Sequence, residues 1–233
     1  MQENENRGLE LEVCVDSVAS GIAAEAGGAD RLELCGSLEI GGITPSFGLF
    51  LELRKRVTLP LFVMLRPRFG DFCYTEEECR ELETEAERFA AAGADGFVLG
   101  MLKPDGSLDR ERIAELMKHC GGRPITLHRC FDLCKDPLEA LRTAEELGIA
   151  LILTSGQANT AEEGVAALAS LAQEAKRLRL MAGSGVSAEK IEALYRETGL
   201  LSYHMSGKVN EESPMQFRRE GVSMGLPVFS EYS

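Results

Sequence analysis

Basic residues are scarce in this chain. It has 25 Lys and Arg against 38 Asp and Glu, which gives a formal net charge of −13 at pH 7. Nucleic acids and anionic membranes bind basic surfaces, so we expect neither as a partner. The chain also has no apolar run of membrane-spanning length, and its start, MQENENRG, lacks the apolar core of a signal peptide. These absences predict a cytoplasmic protein.

Two other common signals are missing. No G-x-G-x-x-G fingerprint follows the first strand-like run, which argues against an open doubly wound sheet. No Pro/Ser-rich linker or block of like charge divides the 233 residues, so we expect a single domain. The seven cysteines are an odd number without the spacing of a small disulfide scaffold. That count favours free thiols, metal ligands or core residues.

The chain does contain a repeated βα pattern. Eight strand-like runs, from LELEVCV at 9–15 to LSYHMS at 201–206, alternate with at least seven helical stretches. Two segments, GADRLELCG and GADGFVLGM, repeat the same helix end, turn and strand. Such repetition predicts a closed (β/α)₈ TIM barrel with parallel strands.

The expected domain boundaries follow from this pattern. Residues 1–8 are predicted to be a disordered or extended N-terminus, residues 9–210 the barrel, and residues 211–233 a short helix with a C-terminal extension. Two helix starts carry recognisable signals: Thr75 with Glu78 is a capping-box pattern, and Asp136 precedes a first-turn proline, Pro137.

Strand alternation predicts which side chains face the barrel interior. In LELEVCVDS the residues Leu9, Leu11, Val13 and Val15 share one apolar face, so Glu12, Cys14 and Asp16 are expected inside. The same rule sends these residues inward on later strands: Glu33, Cys35, Phe62, Met64, Arg66, Arg68, Thr126, His128, Ser202, His204 and Ser206. We expect Glu12 and Glu33 to pair with Arg66, either as part of a binding site or as a structural ion-pair layer.

Cys14 and Cys35 occupy equivalent places on consecutive strands, roughly 5 Å apart by ordinary sheet spacing. Two thiolates at that distance can bind a soft cation such as Cu(I) or form a disulfide. The alternative is that both are ordinary small core residues.

The ends of the last two strands suggest anion binding. Gly183, Ser184 and Gly185 follow the seventh strand, and Ser206 follows the eighth. Barrel proteins frequently bind phosphate at these two loops, where backbone amides and a helix N-terminus meet. Together with Arg66 and Arg68 these residues are the predicted anion-binding set, and a simple tight turn at 183–185 is the alternative.

A series of motifs identifies a family resemblance. LEVCVDS, GADRLELC, GGITPS, RPRFGDFCYT, LHRCFD, LTSGQA and GSGV, in this order, resemble the CutC family of copper homeostasis proteins. The resemblance covers Leu9 to about Lys208 and implies a TIM barrel, a cytoplasmic location, a homodimer or higher homo-oligomer and an association with Cu(I). It implies Cys14 and Cys35 as copper ligands. It also implies mouth positions at Glu12, Asp16, Glu33, Arg66, Arg68, Asp71, His128, Asp132, Ser155 and His204. Cys130 departs from the pattern, which has Ala there.

Two functional hypotheses follow. The first is a copper-handling protein that binds Cu(I) at Cys14 and Cys35. The second is an enzyme acting on a small anionic metabolite, with Glu33, His128 and His204 as the proton-transferring residues. A purely structural or interaction role is a third reading, and it leaves the inward polar residues without a purpose.

Overall fold

The chain folds into a closed barrel of eight parallel strands. The computed structural model describes residues 8–209, 213–217, 219, 221 and 222. Within them, each strand pairs with the next in chain order and β8 closes onto β1. The strands are β1 Glu10–Val15, β2 Arg31–Leu34, β3 Leu61–Met64, β4 Gly96–Leu99, β5 Ile125–Leu127, β6 Leu151–Thr154, β7 Arg179–Ala182 and β8 Ser202–Met205. The predicted (β/α)₈ TIM barrel is confirmed.

Seven helices connect successive strands. They are α1 Val18–Ala26, α2 Phe47–Arg54, α3 Glu76–Ala91, α4 Arg110–His119, α5 Pro137–Leu147, α6 Val165–Glu174 and α7 Ala188–Thr198. Short 3₁₀ turns at Leu38–Ile40 and Arg129–Leu133 follow β2 and β5. Thr75 and Glu78 form the predicted capping box of α3, and the Asp136 carboxylate caps α5 by accepting from two backbone amides.

Successive side chains of a strand pack in two different hydrophobic cores, one outside and one inside the barrel. On β2, Leu32 and Leu34 belong to the large cluster packed between the barrel and the helices. A separate small cluster lies inside the barrel. Its members are Cys35, which comes directly after β2, and Cys14, Phe62, Met64 and Val98. The interior of the barrel therefore contains an apolar cluster that includes two of the predicted site residues, Cys14 and Cys35.

The ring of Phe62 extends that layer across β4. Gly96 is its register partner, and a Cβ atom at Gly96 would lie 2.2 Å from the Phe62 ring. Only glycine leaves room for the ring here. The guanidinium of Arg31 lies 4.3 Å above the same ring. The ring therefore supports a buried cation.

The predicted terminal segments fall largely outside the described residues. Residues 1–7, 210–212, 218, 220 and 223–233 belong to this group, so the N-terminal and C-terminal predictions stay predictions. Among the described helices, none is long and apolar enough to cross a membrane.

Candidate functional site

A fully buried carboxylate, Glu12, lies in the middle of β1 at the centre of a group of charged side chains inside the barrel. The strand register places Glu12 of β1 opposite Arg31 on β2 and opposite His204 on β8. Arg31 Nε donates to Glu12 Oε2 at 2.6 Å, and His204 Nδ1 lies 2.8 Å from Glu12 Oε1. Both oxygens of the carboxylate thus have a partner on a neighbouring strand, as a buried charge requires.

The electrostatics keep Glu12 ionised. Burial acts to raise the pKa of Glu12, but the hydrogen bond with His204 and the charge of Arg31 outweigh it, so the pKa lies below its ordinary value. Burial also acts to lower the pKa of His204. The charge of Glu33 and contacts with Cys14 and Glu12 prevail and raise that pKa well above its ordinary value. His204 is therefore an imidazolium whose Nδ1 proton is donated to Glu12.

Glu33 has a different environment. Its Oε2 lies 3.8 Å from His204 Nε2 and accepts a hydrogen bond from Cys35 Sγ at 3.5 Å, and its Oε1 has no hydrogen-bond partner among the described residues. Burial raises the pKa of Glu33 to about 7; the positive His204 opposes this rise and the negative Glu12 adds to it. Glu33 can therefore hold or release a proton at neutral pH.

The two predicted thiols border this carboxylate. Cys14 Sγ, a Glu33 oxygen and a His204 ring nitrogen lie within 4.8 Å of one another. Cys35 Sγ lies 3.5 Å from Oε2 of the same Glu33, and the two cysteines belong to one buried cluster. Burial raises the pKa of Cys35 well above its ordinary value, and the negative charge of Glu33 adds to this. The structure thus brings Cys14, Cys35, Glu33, His204 and Glu12 together.

Arg66 lies apart from these acids. We expected it to pair with Glu12 and Glu33, and that expectation is wrong: the partner of Glu12 is Arg31. Arg66 instead donates to backbone carbonyls of Gly41, Gly42 and Gly70. Its guanidinium also lies 4.8 Å from the ring centre of Phe72.

His128 also packs against the Phe72 ring. The imidazole is 4.8 Å from the Phe72 ring centre, and His128 Nδ1 accepts a hydrogen bond from the Cys130 amide at 3.2 Å. Burial and the positive charge of Arg66 lower the pKa of His128 to about 3. The ring is therefore neutral near pH 7, and because Nδ1 is an acceptor its proton is on Nε2.

Several predicted site residues have other local partners. Arg68 was expected inside the barrel, but its half-exposed guanidinium pairs with Glu78 and Asp71 at the outer rim, since the chain has left the strand by that point. Asp132 accepts from Arg129, Thr154 and Ser155 and joins the β5 and β6 loops. These contacts give Asp71, Asp132 and Ser155 a loop-fixing role.

The predicted anion loop packs against its neighbour. Ser184 adopts a positive φ of 75°, donates its hydroxyl to Asn159 and accepts from the Ala161 amide. Gly183 donates to the Thr154 carbonyl, and Gly185 packs close to Thr160. Ser206 is exposed and Asp16 is half-buried, so neither is enclosed in the barrel interior as predicted. Anion binding at 183–185 and Ser206 stays a prediction.

Sequence reasoning missed Arg31. Alternation from Glu33 places Arg31 on the inward face, two residues earlier, so the signal was present in RLELC. Phe72, the ring shared by Arg66 and His128, was also missed; it lies in a loop, where no periodicity indicates direction.

Comparisons with known proteins agree with this architecture. A CutC family model matches residues 9–209. The human copper homeostasis protein cutC homolog is 41% identical over 228 residues, covering 97% of this chain and 84% of the relative. A CutC family protein from Bacteroides thetaiotaomicron is 44% identical over 218 residues, with coverages of 93% and 88%.

Solved structures give the same picture. The crystal structure of CutC from Streptococcus agalactiae superposes with a TM-score of 0.80 at 30% identity, covering 84% of this chain and 97% of that chain. Phosphonopyruvate hydrolase superposes with a TM-score of 0.59 at 16% identity, covering 85% and 75%. At that identity the second likeness shows the barrel fold alone.

Proposed function

Because the chain belongs to the CutC family, we propose that it is a copper homeostasis protein that binds Cu(I) between the Cys14 and Cys35 thiolates. One observation carries this proposal: both thiols border the buried Glu33 carboxylate, Cys14 within 4.8 Å and Cys35 at 3.5 Å. Cu(I) is a soft ion that prefers thiolate ligands.

The surrounding charges support a two-thiolate site. Two thiolates and one Cu(I) carry a net charge of −1, which is costly to bury without compensation. Arg31 is already neutralised by Glu12. His204, an imidazolium next to Cys14, supplies the remaining positive charge. In this arrangement Glu12 and Arg31 hold the compensating cation in place.

Cu(I) binding also has to displace the thiol protons. The Glu33 carboxylate is already the hydrogen-bond acceptor of the Cys35 thiol. When Cys35 binds the ion, its proton passes to Glu33 Oε2 and the carboxylate becomes a neutral acid, while the proton of Cys14 is released to solvent. The negative charge of the new thiolate is thus offset by the loss of a negative charge beside it.

The test is an anaerobic competition titration against a Cu(I) chelator such as bicinchoninate. We expect the wild type to compete for one Cu(I) and the Cys14→Ser/Cys35→Ser variant to lose this ability. The matched control is Cys130→Ser/Cys134→Ser, a second pair of buried thiols away from Glu33. Equal copper affinity of the wild type and the Cys14/Cys35 variant would contradict the proposal, as would binding of Zn(II) without Cu(I).

A second candidate function is catalysis on a small anionic metabolite. The observation that favours it is the contact between Glu33, whose pKa is raised to about 7, and the cationic His204. A buried acid and base with opposed environments at the carboxyl end of a barrel is a common catalytic arrangement. His128 is neutral near pH 7, so Glu33 and His204 would transfer the protons.

This candidate is tested by incubating the metal-free protein with a panel of phosphorylated and carboxylic metabolites and following each by NMR. Turnover by the wild type that disappears in Glu33→Gln would support it. Turnover that is unchanged in Glu33→Gln, or no turnover of any compound, would count against it.

A cytoplasmic location and a homodimer or higher homo-oligomer complete the proposal. Both rest on the family resemblance, and the acidic charge of −13 agrees with a protein that avoids anionic membranes. Sedimentation velocity measures the oligomeric state directly; a monomer at micromolar concentration would remove that part of the proposal.

A further inference from the structure

Among the residues that the structure describes, three buried polar groups on the β3 and β5 side of the barrel lack hydrogen-bond partners. They are Arg66 Nε, the Tyr74 hydroxyl and His128 Nε2. The residues are 8%, 5% and 4% exposed, so bulk water does not replace the missing partners. Buried polar groups are nearly always hydrogen-bonded, which makes three neighbouring exceptions informative.

The three groups belong to one neighbourhood. Arg66 and His128 both pack on the Phe72 ring. The charge of Arg66 acts on His128, and the Tyr74 hydroxyl lies near the Arg66 guanidinium but outside hydrogen-bond geometry. Between β3 and β5 lies Gly100, and a Cβ atom there would contact the His128 ring at 2.8 Å. The lack of a side chain at Gly100 lets the His128 ring and the Cys130 sulfur pack directly against the backbone there.

All three groups offer protons. Guanidinium Nε is always a donor, the tyrosyl hydroxyl donates, and the neutral His128 carries its proton on Nε2 because Nδ1 accepts from Cys130. Arg66 adds a full positive charge. Within the described part of the chain, its Nη atoms donate only to carbonyl oxygens, and no carboxylate forms an ion pair with it. A buried cation without an anionic partner is costly, so the complementary group is an anion.

We propose that Arg66, Tyr74 and His128 form a binding site for a small oxyanion, the phosphate or carboxylate group of a metabolite, separate from the thiol pair. An oxyanion presents several acceptor oxygens to the three donors and neutralises Arg66. The proposal does not depend on copper binding. It supplies a ligand class for the second candidate function, and its failure would leave the copper proposal unchanged.

The test uses a matched pair of Tyr→Phe variants. Tyr203 is as deeply buried as Tyr74, but its hydroxyl donates to the Leu200 carbonyl at 2.7 Å. Without ligand, Tyr74→Phe is expected to match or exceed the wild-type melting temperature, since it removes an unpaired hydroxyl, whereas Tyr203→Phe is expected to melt lower. If Tyr74→Phe melts as low as Tyr203→Phe, the Tyr74 hydroxyl has a partner in the folded protein and the inference fails.

Binding is then measured by isothermal titration of the metal-free protein at constant ionic strength, with inorganic phosphate in one arm and glycolate in the other. We expect saturable binding in at least one arm, which identifies the phosphoryl or the carboxylate class, and about fivefold weaker binding by Tyr74→Phe. His128→Asn should weaken binding as well, and Tyr203→Phe should bind as the wild type does. No binding in either arm, or wild-type affinity in both Tyr74→Phe and His128→Asn, would overturn the proposal.

Discussion

The pKa of His128 makes the stability of the barrel depend on pH in a calculable way. Burial and the charge of Arg66 lower this pKa from 6.5 to about 3. When the pH falls from 7.5 to 5.0, the unfolded chain takes up a proton at His128 and the folded chain does not. The free energy of unfolding therefore decreases as the pH falls. For a pKa lowered from 6.5 to about 3, the decrease over this interval is about 2 kcal/mol.

Glu33 changes the free energy of unfolding with pH in the opposite direction. Its pKa is raised from 4.5 to about 7, so the folded chain takes up this proton first and gains stability as the pH falls. Over the same interval the gain is also about 2 kcal/mol. These two contributions nearly cancel, and the raised pKa of His204 adds a further gain as the pH falls, so the wild-type profile alone isolates none of the three. A comparison of the wild type with a His128 variant isolates the contribution of His128.

The informative variant is His128→Asn. His128 is the N-cap of the 3₁₀ turn Arg129–Leu133, and asparagine can accept the Cys130 amide in its place. The smaller side chain packs less well on Phe72, which lowers stability by an amount independent of pH. As the pH falls to 5.0, the variant should regain about 2 kcal/mol relative to the wild type, because it lacks the group that opposes Glu33.

Urea unfolding in phosphate-free buffers between pH 5.0 and 7.5 measures this difference. The shift in midpoint between the two proteins, multiplied by their common slope, gives the relative stability at each pH. A difference that stays constant across the range would refute the reasoning, because it would mean that His128 titrates alike in the folded and unfolded chains.

Three further predictions concern stability at neutral pH. Arg31→Met leaves the buried Glu12 without its guanidinium partner and should lower the free energy of unfolding by about 3 kcal/mol; a loss below about 1 kcal/mol in urea unfolding would show that His204 alone satisfies Glu12. Gly100→Ala places a Cβ atom 2.3 Å from the Cys130 sulfur and should cost about 1–3 kcal/mol by the same measurement, with an unchanged midpoint as the contrary result. Thr154→Val removes the hydroxyl that donates to Asp132 and should lower the melting temperature, and an equal or higher value would show that this bond contributes nothing.

Local sequence signals predicted the fold well because a barrel is built from one repeated unit. The strands β2 to β6 are buried on both faces, and several helices have their own start signal, such as Thr75 with Glu78 or Asp136 with Pro137. These features can be recognised in a sequence window of about ten residues. The order and closure of the strands then follow from short right-handed connections.

Loop residues were harder to place from the sequence. In the sequence LFVMLRPR, Arg68 continues the alternation of outward and inward residues, but in the structure β3 ends at Met64. Beyond that residue the period of two no longer fixes the direction of a side chain. Arg68 therefore reaches Glu78 and Asp71 at the rim, and Phe72 packs against both Arg66 and His128.

The pairing of buried charges depends on register, which alternation does not provide. Glu12, Arg31, Glu33 and His204 all share the inward face, so alternation alone permits several pairings. The register of β1 with β2 sets Glu12 beside Arg31, and closure of the barrel sets it beside His204, which lies 192 residues later in the chain. Glu33 is left beside the thiols because Arg31 is already engaged. The proton-holding carboxylate next to Cys35 is thus a consequence of barrel closure, and a one-residue shift of β8 would remove His204 from Glu12 and from the site.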